Sequence, residues 1–422
     1  LRGPGPPDAI MRILFLSHYF HPEGNAPATR VYEMTRRWVK LGFDVSVVTG
    51  APNVPSGVVY PGYRNRWRSR EVIEGVETLR VWTYLAPNKG TVRRILNYLS
   101  FCATATLAGL TARRPDLVIA TSPQFFCGWA GVFVSRLRRV PFVLEVRDLW
   151  PDSIAAVGAM RSSRLLRFLA WLERRMYAAA TRIVTVGRGY QQELEARGVP
   201  AEQISVIPNG VDRGMFDPNA DASPLRARFA PKGEFLCSYV GTIGMGSGLA
   251  VVLRAAELLR EQGRDDVVWL LVGDGAVREE LEREARERGL DRVVFTGRLP
   301  KSEMPGVLAA SDACLVHLAR RPLFRTVMPS KIFEAAAMAR PIVLGVEGFA
   351  AEVVEGAGAG ICIEPENAEQ LVAAVLRLAA DRGLARSLGR AGYERIAAAY
   401  DYSELARAYA GLLRLVASGA RP

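Results

Sequence analysis

The sequence predicts an α/β chain of two doubly wound domains, on three observations. Its 422 residues exceed what one hydrophobic core usually serves, and 49% hydrophobic content supplies material for two. Short apolar strands alternate with helical patterns in two successive series, the arrangement that builds a parallel sheet wrapped by helices. Between the series stands Pro208-Asn209-Gly210, a turn signal, followed by DPNADASP, which reads as a linker. The expected domains are residues 11–213 and 214–399, with a last helix over about 400–418 and an extension at 1–10.

In the first series the strand candidates are residues 12–16, 44–49, 77–83, 116–121, 142–146, 182–186 and 204–207, with a helix over 28–41. The second series places strands at 236–241, 267–273, 292–296, 313–318, 341–345 and 360–363. Among its helices, 276–289 carries Glu and Arg at helical spacing, which supports an exposed helix. No repeat competes with this reading. Ligands of such sheets bind outside the carboxyl ends of the strands, so two facing domains make a cleft site.

Charge is uneven. Residues 1–213 hold 29 Lys/Arg against 16 Asp/Glu, and residues 214–422 hold 26 against 27. A basic half joined to a neutral half suggests that the first domain faces something anionic, with nucleic acid and acidic lipid as the two classes to weigh. Three features concentrate that charge. Residues 63–70 mix Tyr63 and Trp67 with Arg64, Arg66, Arg68 and Arg70 and read as a loop. Residues 95–110 form an apolar stretch between Arg93, Arg94, Arg113 and Arg114, too short and too mixed to span a bilayer, so they read as either a membrane-surface or a core helix. Residues 161–175 set Leu165, Leu169 and Leu172 on one face, with Trp171 nearby, beside Arg164, Arg167, Arg174 and Arg175. A solvated helix face is the ordinary alternative for any one such element, but three in one domain favour peripheral contact with an anionic membrane, and no nucleic-acid partner is expected.

The five cysteines are scattered and read as buried thiols of a reducing cytoplasm. Three histidines and no His/Cys cluster at ligand spacing predict no metal site. Residues 1–10 lack the apolar core of a signal peptide and read as an extension upstream of Met11.

Candidate chemistry sits in loops after strands. Gly24 and Asn25, in SHYFHPEGNAPATR, precede a helix, so their backbone can approach a phosphate. The segment GTIGMGSGL, residues 241–249, offers Gly241, Thr242 and Gly244 as ligand contacts. Neither loop has the dinucleotide-binding glycine spacing or a P-loop lysine, which disfavours a dinucleotide enzyme and an ATPase. VGDG with Gly275, and TGRLP with Arg298 and Leu299, are either simple turns or backbone that reads a base edge; Asp274 suits a capping role. In EVRDLWPDS, Arg147 and Asp148 follow a strand, where a carboxylate orients or deprotonates a hydroxyl, or else caps a turn. A helix beginning near Pro329 would aim unpaired N–H groups at a diphosphate, with Ser330, Lys331 and Glu334 beside it and the Glu334 carboxylate facing ribose hydroxyls. The alternative there is an ordinary buried helix.

HYFHPEGNAPATR, TSPQF, RDLWPDS, IPNGVD, GTIGMGSGL and PSKIFE, in this order, resemble the glycosyltransferases of family 4, in particular the bacterial enzymes of colanic-acid, O-antigen and capsule assembly. The resemblance runs from Met11 to about Ala417. It implies the GT-B architecture, two Rossmann-like domains facing across a cleft, and retaining transfer from a nucleotide sugar with no cofactor and no required metal. It also implies that the last helix, over about 403–417, crosses back onto the first domain. Glu334 matches the second glutamate of the family's E-x7-E signature, the one that holds ribose, while the first falls at Thr326. The cation pair that usually grips the diphosphate is absent before Arg254, leaving Lys331 as the local replacement. The family's first-domain histidine corresponds to Arg147, with Asp148 beside it.

The expected activity is transfer of a hexose-type sugar from a UDP- or GDP-sugar to a polyprenyl-diphosphate-linked acceptor at the cytoplasmic face of the membrane. In that scheme Asp148 and Arg147 act in the first domain and Lys331 in the second, with backbone near Gly24, Gly244 and Ser330 around the diphosphate. The alternatives are a nucleotide-sugar epimerase of the same fold and an inactive membrane-bound scaffold.

Overall fold

The computed structural model describes residues 10–54, 56–85, 91–122, 124–148 and 163–419, with backbone alone at 91, 92, 163, 165 and 166. The expected extension up to residue 9, the WPDS of RDLWPDS, Arg161 and the Leu165 side chain lie outside the described residues.

The chain divides into two units, Leu1–Pro208 with Ser403–Pro422, and Asn209–Tyr402. The boundary therefore follows Pro208 rather than residue 213. The reason is local: Val211 forms a parallel bridge with Asp401, and the Tyr402 N–H donates to the Val211 carbonyl, which binds this stretch to the second unit. DPNADASP likewise lies inside the second unit and runs into a helix at Ser223.

Unit 1 holds one eight-stranded sheet. Its strands are β1 (Arg12–Leu16), β2 (Asp44–Gly50), β3 (Arg68–Ile73), β4 (Val76–Val81), β5 (Leu117–Thr121), β6 (Phe142–Val146), β7 (Arg182–Thr185) and β8 (Ile204–Val206), in the order β3-β4-β2-β1-β5-β6-β7-β8. All pair in parallel except β3, which is antiparallel to β4. The central strands β5 and β6 are buried at every residue, as strands covered on both faces must be, and this is why they read as mostly apolar runs, with Glu145 of β6 as the charged exception. Residues 68–70 belong to β3 and not to a loop: Glu74 and Gly75, both at positive φ, close a two-residue hairpin onto β4.

The helices of unit 1 are α1 (Ala26–Lys40), α2 (Thr91–Thr111), α3 (Phe125–Arg138), α4 (Ser163–Ala179) and α5 (Arg188–Ala196). Winding reverses at β1, so right-handed crossovers put α1 on one face of the sheet and α2, α3 and α4 on the other. The second group shares a core of Phe101, Ala105, Phe125, Ala130, Leu169 and Met176. Leu169 and Leu172 of α4 pack into or against that core, while Phe168 and Trp171 point outward.

In the interior of unit 1 the Arg30 guanidinium pairs with Glu145 at 3.1 Å, both side chains 1% exposed, and donates to the carbonyls of Ile207 and Pro208. Thr121 donates to the other Glu145 oxygen. Every oxygen and N–H so satisfied is a group that burial would otherwise penalise.

Unit 2 contains β9 (Phe235–Val240), β10 (Val267–Val272), β11 (Val293–Gly297), β12 (Ala313–His317), β13 (Ile342–Gly345) and β14 (Gly360–Cys362), ordered β11-β10-β9-β12-β13-β14 and parallel throughout. Its helices are α6 (Ser223–Phe229), α7 (Ala250–Glu261), α8 (Arg278–Glu287), α9 (Met304–Ala310), α10 (Lys331–Ala337), α11 (Phe349–Ala357), α12 (Ala368–Ala380) and α13 (Arg382–Ala391). Strand order turns about β9, the doubly wound pattern whose crevice opens between β9 and β12 at their carboxyl ends. The last helix, α14 (Tyr402–Ser418), packs in unit 1: Tyr409 meets the Trp38 ring edge-on at 5.1 Å, and Trp38 Nε1–H donates to the Ala406 carbonyl.

Candidate functional site

The loop leaving β9 and the segment leaving β12 flank the switch point of unit 2, and what the sequence lists separately is packed together there. Gly241 sits at φ 141°, a conformation that L side chains rarely adopt. A Cβ on Gly241 would stand 2.4 Å from Lys331 Cε and 2.9 Å from Nζ, so the lysine runs across the glycine's bare face. Its ammonium rests 4.6 Å above the centroid of the Tyr239 ring, a cation–π contact. Tyr239 is buried and its hydroxyl donates to the Thr242 carbonyl, which holds the loop on the same ring that holds the lysine.

The rest of the loop is braced from three sides. Gly273 and Gly275 pack so tightly that a Cβ on them would meet the carbonyl oxygens of Gly241 and Ile243 at 1.9 and 2.3 Å, which gives Gly275 a packing reason to be glycine. The Ile243 N–H donates to the Asp274 carbonyl. Phe324 presses on Gly246, where a Cβ would stand 3.0 Å from its ring, and the Ala319 N–H donates to the Gly246 carbonyl. Buried His317 donates from Nδ1 to the Ser247 carbonyl and accepts the Glu366 N–H at Nε2. A carbonyl only accepts and an amide N–H only donates, so the ring is neutral and its tautomer fixed; burial lowers its pKa accordingly.

Helix α10 starts at Lys331, with Ser330 at the N-cap position and Glu334 in the first turn. Its inner face, Ile332, Phe333 and Ala335–Ala337, is buried, and Phe333 stacks on Tyr400 at 4.5 Å. Glu334 is half-buried. Burial raises its carboxyl pKa, and the ammonium groups of Lys301 and Lys331 pull it back down. Thr326 ends a short 3-10 turn, exposed, its hydroxyl donating to the Leu323 carbonyl. Asp274 does not cap α8; its carboxylate accepts from the Gly275 N–H and from Arg278 Nε. Arg298 lies close enough to Asp274 to help lower that carboxyl's pKa, and Leu299 packs against the core around Val268 and Leu270.

In unit 1 the loops after β1, β5 and β6 converge. Asn25 caps α1 through Oδ1, accepting from the Ala28 N–H at 2.9 Å, while Gly24 is open, with nothing within 4 Å of a Cβ placed on it. Arg147 reaches the carbonyls of Ala26 and Pro27, and its N–H donates to Ser122 Oγ. Tyr190 joins Arg147 and Asp148: burial and the Asp148 charge push its phenol up to about 12, against the pull of Arg147. Among the described residues no set of three His, Cys, Asp or Glu side chains is placed to hold a metal ion.

The sequence reading missed several members of these groups. Lys301 follows the flagged TGRLP directly, and Tyr239 precedes the glycine loop, so adjacency was the signal for both. Met245 and Leu323 are exposed large apolar side chains in the glycine loop and the turn beside it. Tyr190 had no sequence signal, because its link to Asp148 is tertiary.

The Glycosyl transferase 4-like domain family matches residues 25–210, and the Glycosyl transferases group 1 family matches residues 225–395. The chain belongs to family 4 of the glycosyltransferases. It is 27% identical over 377 residues to WcaI of Escherichia coli strain K12, a glycosyl transferase named for colanic acid biosynthesis, covering 86% of this chain and 91% of that protein. Sucrose-phosphate synthase of Thermosynechococcus elongatus superposes with a TM-score of 0.74 at 20% identity, over 97% of this chain and 100% of that one. Anabaena HepE, solved with UDP and glucose, superposes at 0.71 and 19% identity, over 96% and 99%. This family 4 member thus has the GT-B fold and is a glycosyltransferase.

Proposed function

We propose that this glycosyltransferase moves a hexose-type sugar, with retention, from a UDP- or GDP-sugar to a polyprenyl-diphosphate-linked acceptor in the assembly of a surface polysaccharide. The observation that carries the reading is the course of Lys331 across Gly241. It sets one ammonium against glycine-rich backbone, at the switch point where doubly wound sheets take their ligands, with a carboxylate in the first turn of the same helix. A diphosphate has the charge to answer Lys331, and ribose hydroxyls have the donors to answer Glu334. The colanic-acid relative and the UDP complex of HepE support a nucleotide-sugar donor and a polysaccharide product.

In the reaction, the bond from the anomeric carbon to the β-phosphate oxygen breaks while the acceptor hydroxyl oxygen bonds to the same face of that carbon. The hydroxyl proton passes to the departing diphosphate. The chain's part is to hold the leaving charge with Lys331 and the backbone near Gly244 and Ser330, and to orient the hydroxyl with Asp148. Arg147 keeps the loop around Gly24 in place through the Ala26 and Pro27 carbonyls.

The test is a panel of UDP- and GDP-sugars incubated with a polyprenyl-diphosphate-linked saccharide, with product anomers read by NMR. Lys331→Ala is expected to raise the donor KM about 10-fold or more, since a hydrogen bond to a charged group contributes roughly 1.5–3 kcal/mol. Isomerised donor with no transfer would make the chain an epimerase. Inert donors throughout would leave it a scaffold.

A further inference from the structure

We infer that the outer surface of α2, α3 and α4 in unit 1 is a lipid-facing surface that sits on an anionic bilayer with its apolar rows inserted. Each helix buries one face in the shared core and leaves a second apolar row outside. On α2 that row is Leu96, Leu99, Ala103 and Leu107, at the 3-4-4 spacing of a single helical stripe. On α3 it is Phe133 and Leu137, the latter 66% exposed. On α4 it is Phe168 and Trp171, stacked at 6.0 Å with the Arg175 guanidinium 5.3 Å over the indole. The exit of β4 extends the same surface, because Thr104, Ser100 and Asn97 of α2 hydrogen-bond the backbone of Trp82 and Tyr84, and both aromatic rings remain exposed.

Charge identifies what this surface meets. The three helices carry eight arginines and one carboxylate, Glu173, which is buried against Tyr177 and Arg197. Arg138 is used up capping the carbonyl end of α2, but Arg93, Arg136, Arg164, Arg167, Arg174 and Arg175 are exposed. A stripe of leucines for acyl chains, tryptophan and tyrosine for the headgroup level, and a rim of cations fit an anionic interface. No helix among the described residues is long and apolar enough to cross a membrane, so the surface lies on the bilayer and α2 does not traverse it. This deepens the lipid-linked acceptor reading and rests on it for its purpose, since it keeps the enzyme where such an acceptor is found.

The test is cosedimentation of the full chain with vesicles of phosphatidylethanolamine and phosphatidylglycerol, in low salt and in 1 M NaCl, beside a phosphatidylcholine control. Binding to the anionic vesicles is expected, with a fraction retained at high salt because insertion is not screened. Changing Arg164, Arg167 and Arg174 together to Gln weakens low-salt binding about 100-fold at roughly fivefold per cation. Leu99→Asp with Leu107→Asp removes the salt-resistant fraction, with the unfolding midpoint held within a few degrees to show that the variant folds. Equal binding to phosphatidylcholine, no binding, or binding that both variants leave intact overturns the inference. So does a soluble dimer that Leu99→Asp with Leu107→Asp dissociates, because the surface then belongs to a second copy. Transfer to a short, water-soluble prenyl-diphosphate acceptor is measured in parallel: transfer without vesicle binding sinks the surface alone, and vesicle binding without transfer sinks the acceptor reading alone.

Discussion

Gly241→Ala puts the contact between glycine and lysine to a quantitative test. Alanine at φ 141° is strained, a cost of about 1–3 kcal/mol, and its Cβ displaces the Lys331 side chain, whose Cε lies 2.4 Å from that position. Displacement also loses the cation–π contact over Tyr239, about 0.5–1 kcal/mol at a partly exposed site. If Lys331 holds the diphosphate as proposed, donor affinity should fall by one charged hydrogen bond, roughly 10- to 100-fold. Lys331→Ala alone should show the same loss of affinity with little loss of stability. In the double variant the lysine is no longer there to be displaced, so affinity should be no worse than in either single variant, and stability should match or exceed that of Gly241→Ala alone. The assays are thermal unfolding, following the transition that nucleotide shifts, and calorimetric titration with the donor. Wild-type donor affinity in Gly241→Ala, or affinity losses that add in the double variant, would refute the reasoning.

Glu334→Gln is expected to stabilise the ligand-free protein while weakening donor binding. A carboxyl whose pKa is raised on folding contributes stability at low pH that is lost as pH rises through the folded value, so the gain in melting temperature should be larger at pH 7 than at pH 4. His18, packed among Tyr19, Tyr98 and Phe101, has the opposite sign: burial lowers its pKa to about 3. Stability should therefore fall as pH drops below about 6.5, by about 2 kcal/mol between pH 8 and pH 5, and denaturant melts of His18→Phe should lack that slope. Arg30→Ala leaves Glu145 unpaired in the interior and should cost about 3–5 kcal/mol, read as a large fall in the melting temperature.

The two mainly parallel sheets were legible in the sequence because their strands are buried on both faces and so appear as mostly apolar runs; LVIAT, and FVLEV with its single buried Glu145, are examples. β3 was not, since this edge strand exposes Arg68 and Arg70 and carries Glu71 between them and Val72, so it looks like a basic loop. Loop glycines pointed to a candidate site, yet they did not reveal what fills the space they leave. Gly241 and Lys331 lie far apart in the chain, and only the order of β9 and β12 in the sheet brings them together. The same limit hid Tyr190 beside Asp148 and Lys301 beside Glu334. Asn25, in contrast, was legible as preceding a helix, and its cap occupies the side-chain oxygen of a residue that the sequence offers to a ligand. On α4 the amphipathic pattern was visible, while its outward face turned out to carry the aromatic pair and not the leucines.

The last helix has a consequence for how the protein is made. Trp38 is fully buried, and part of what covers it is Tyr409 and the Ala406 carbonyl, which leave the ribosome after the whole of unit 2. Unit 1 is synthesised first yet remains open along α1 until α14 arrives, so during translation unit 2 can complete its core while its predecessor still waits for a missing wall. A stop codon just before Tyr402 would leave unit 2 nearly whole and strip an apolar face from unit 1, at the opposite end of the chain from the lesion.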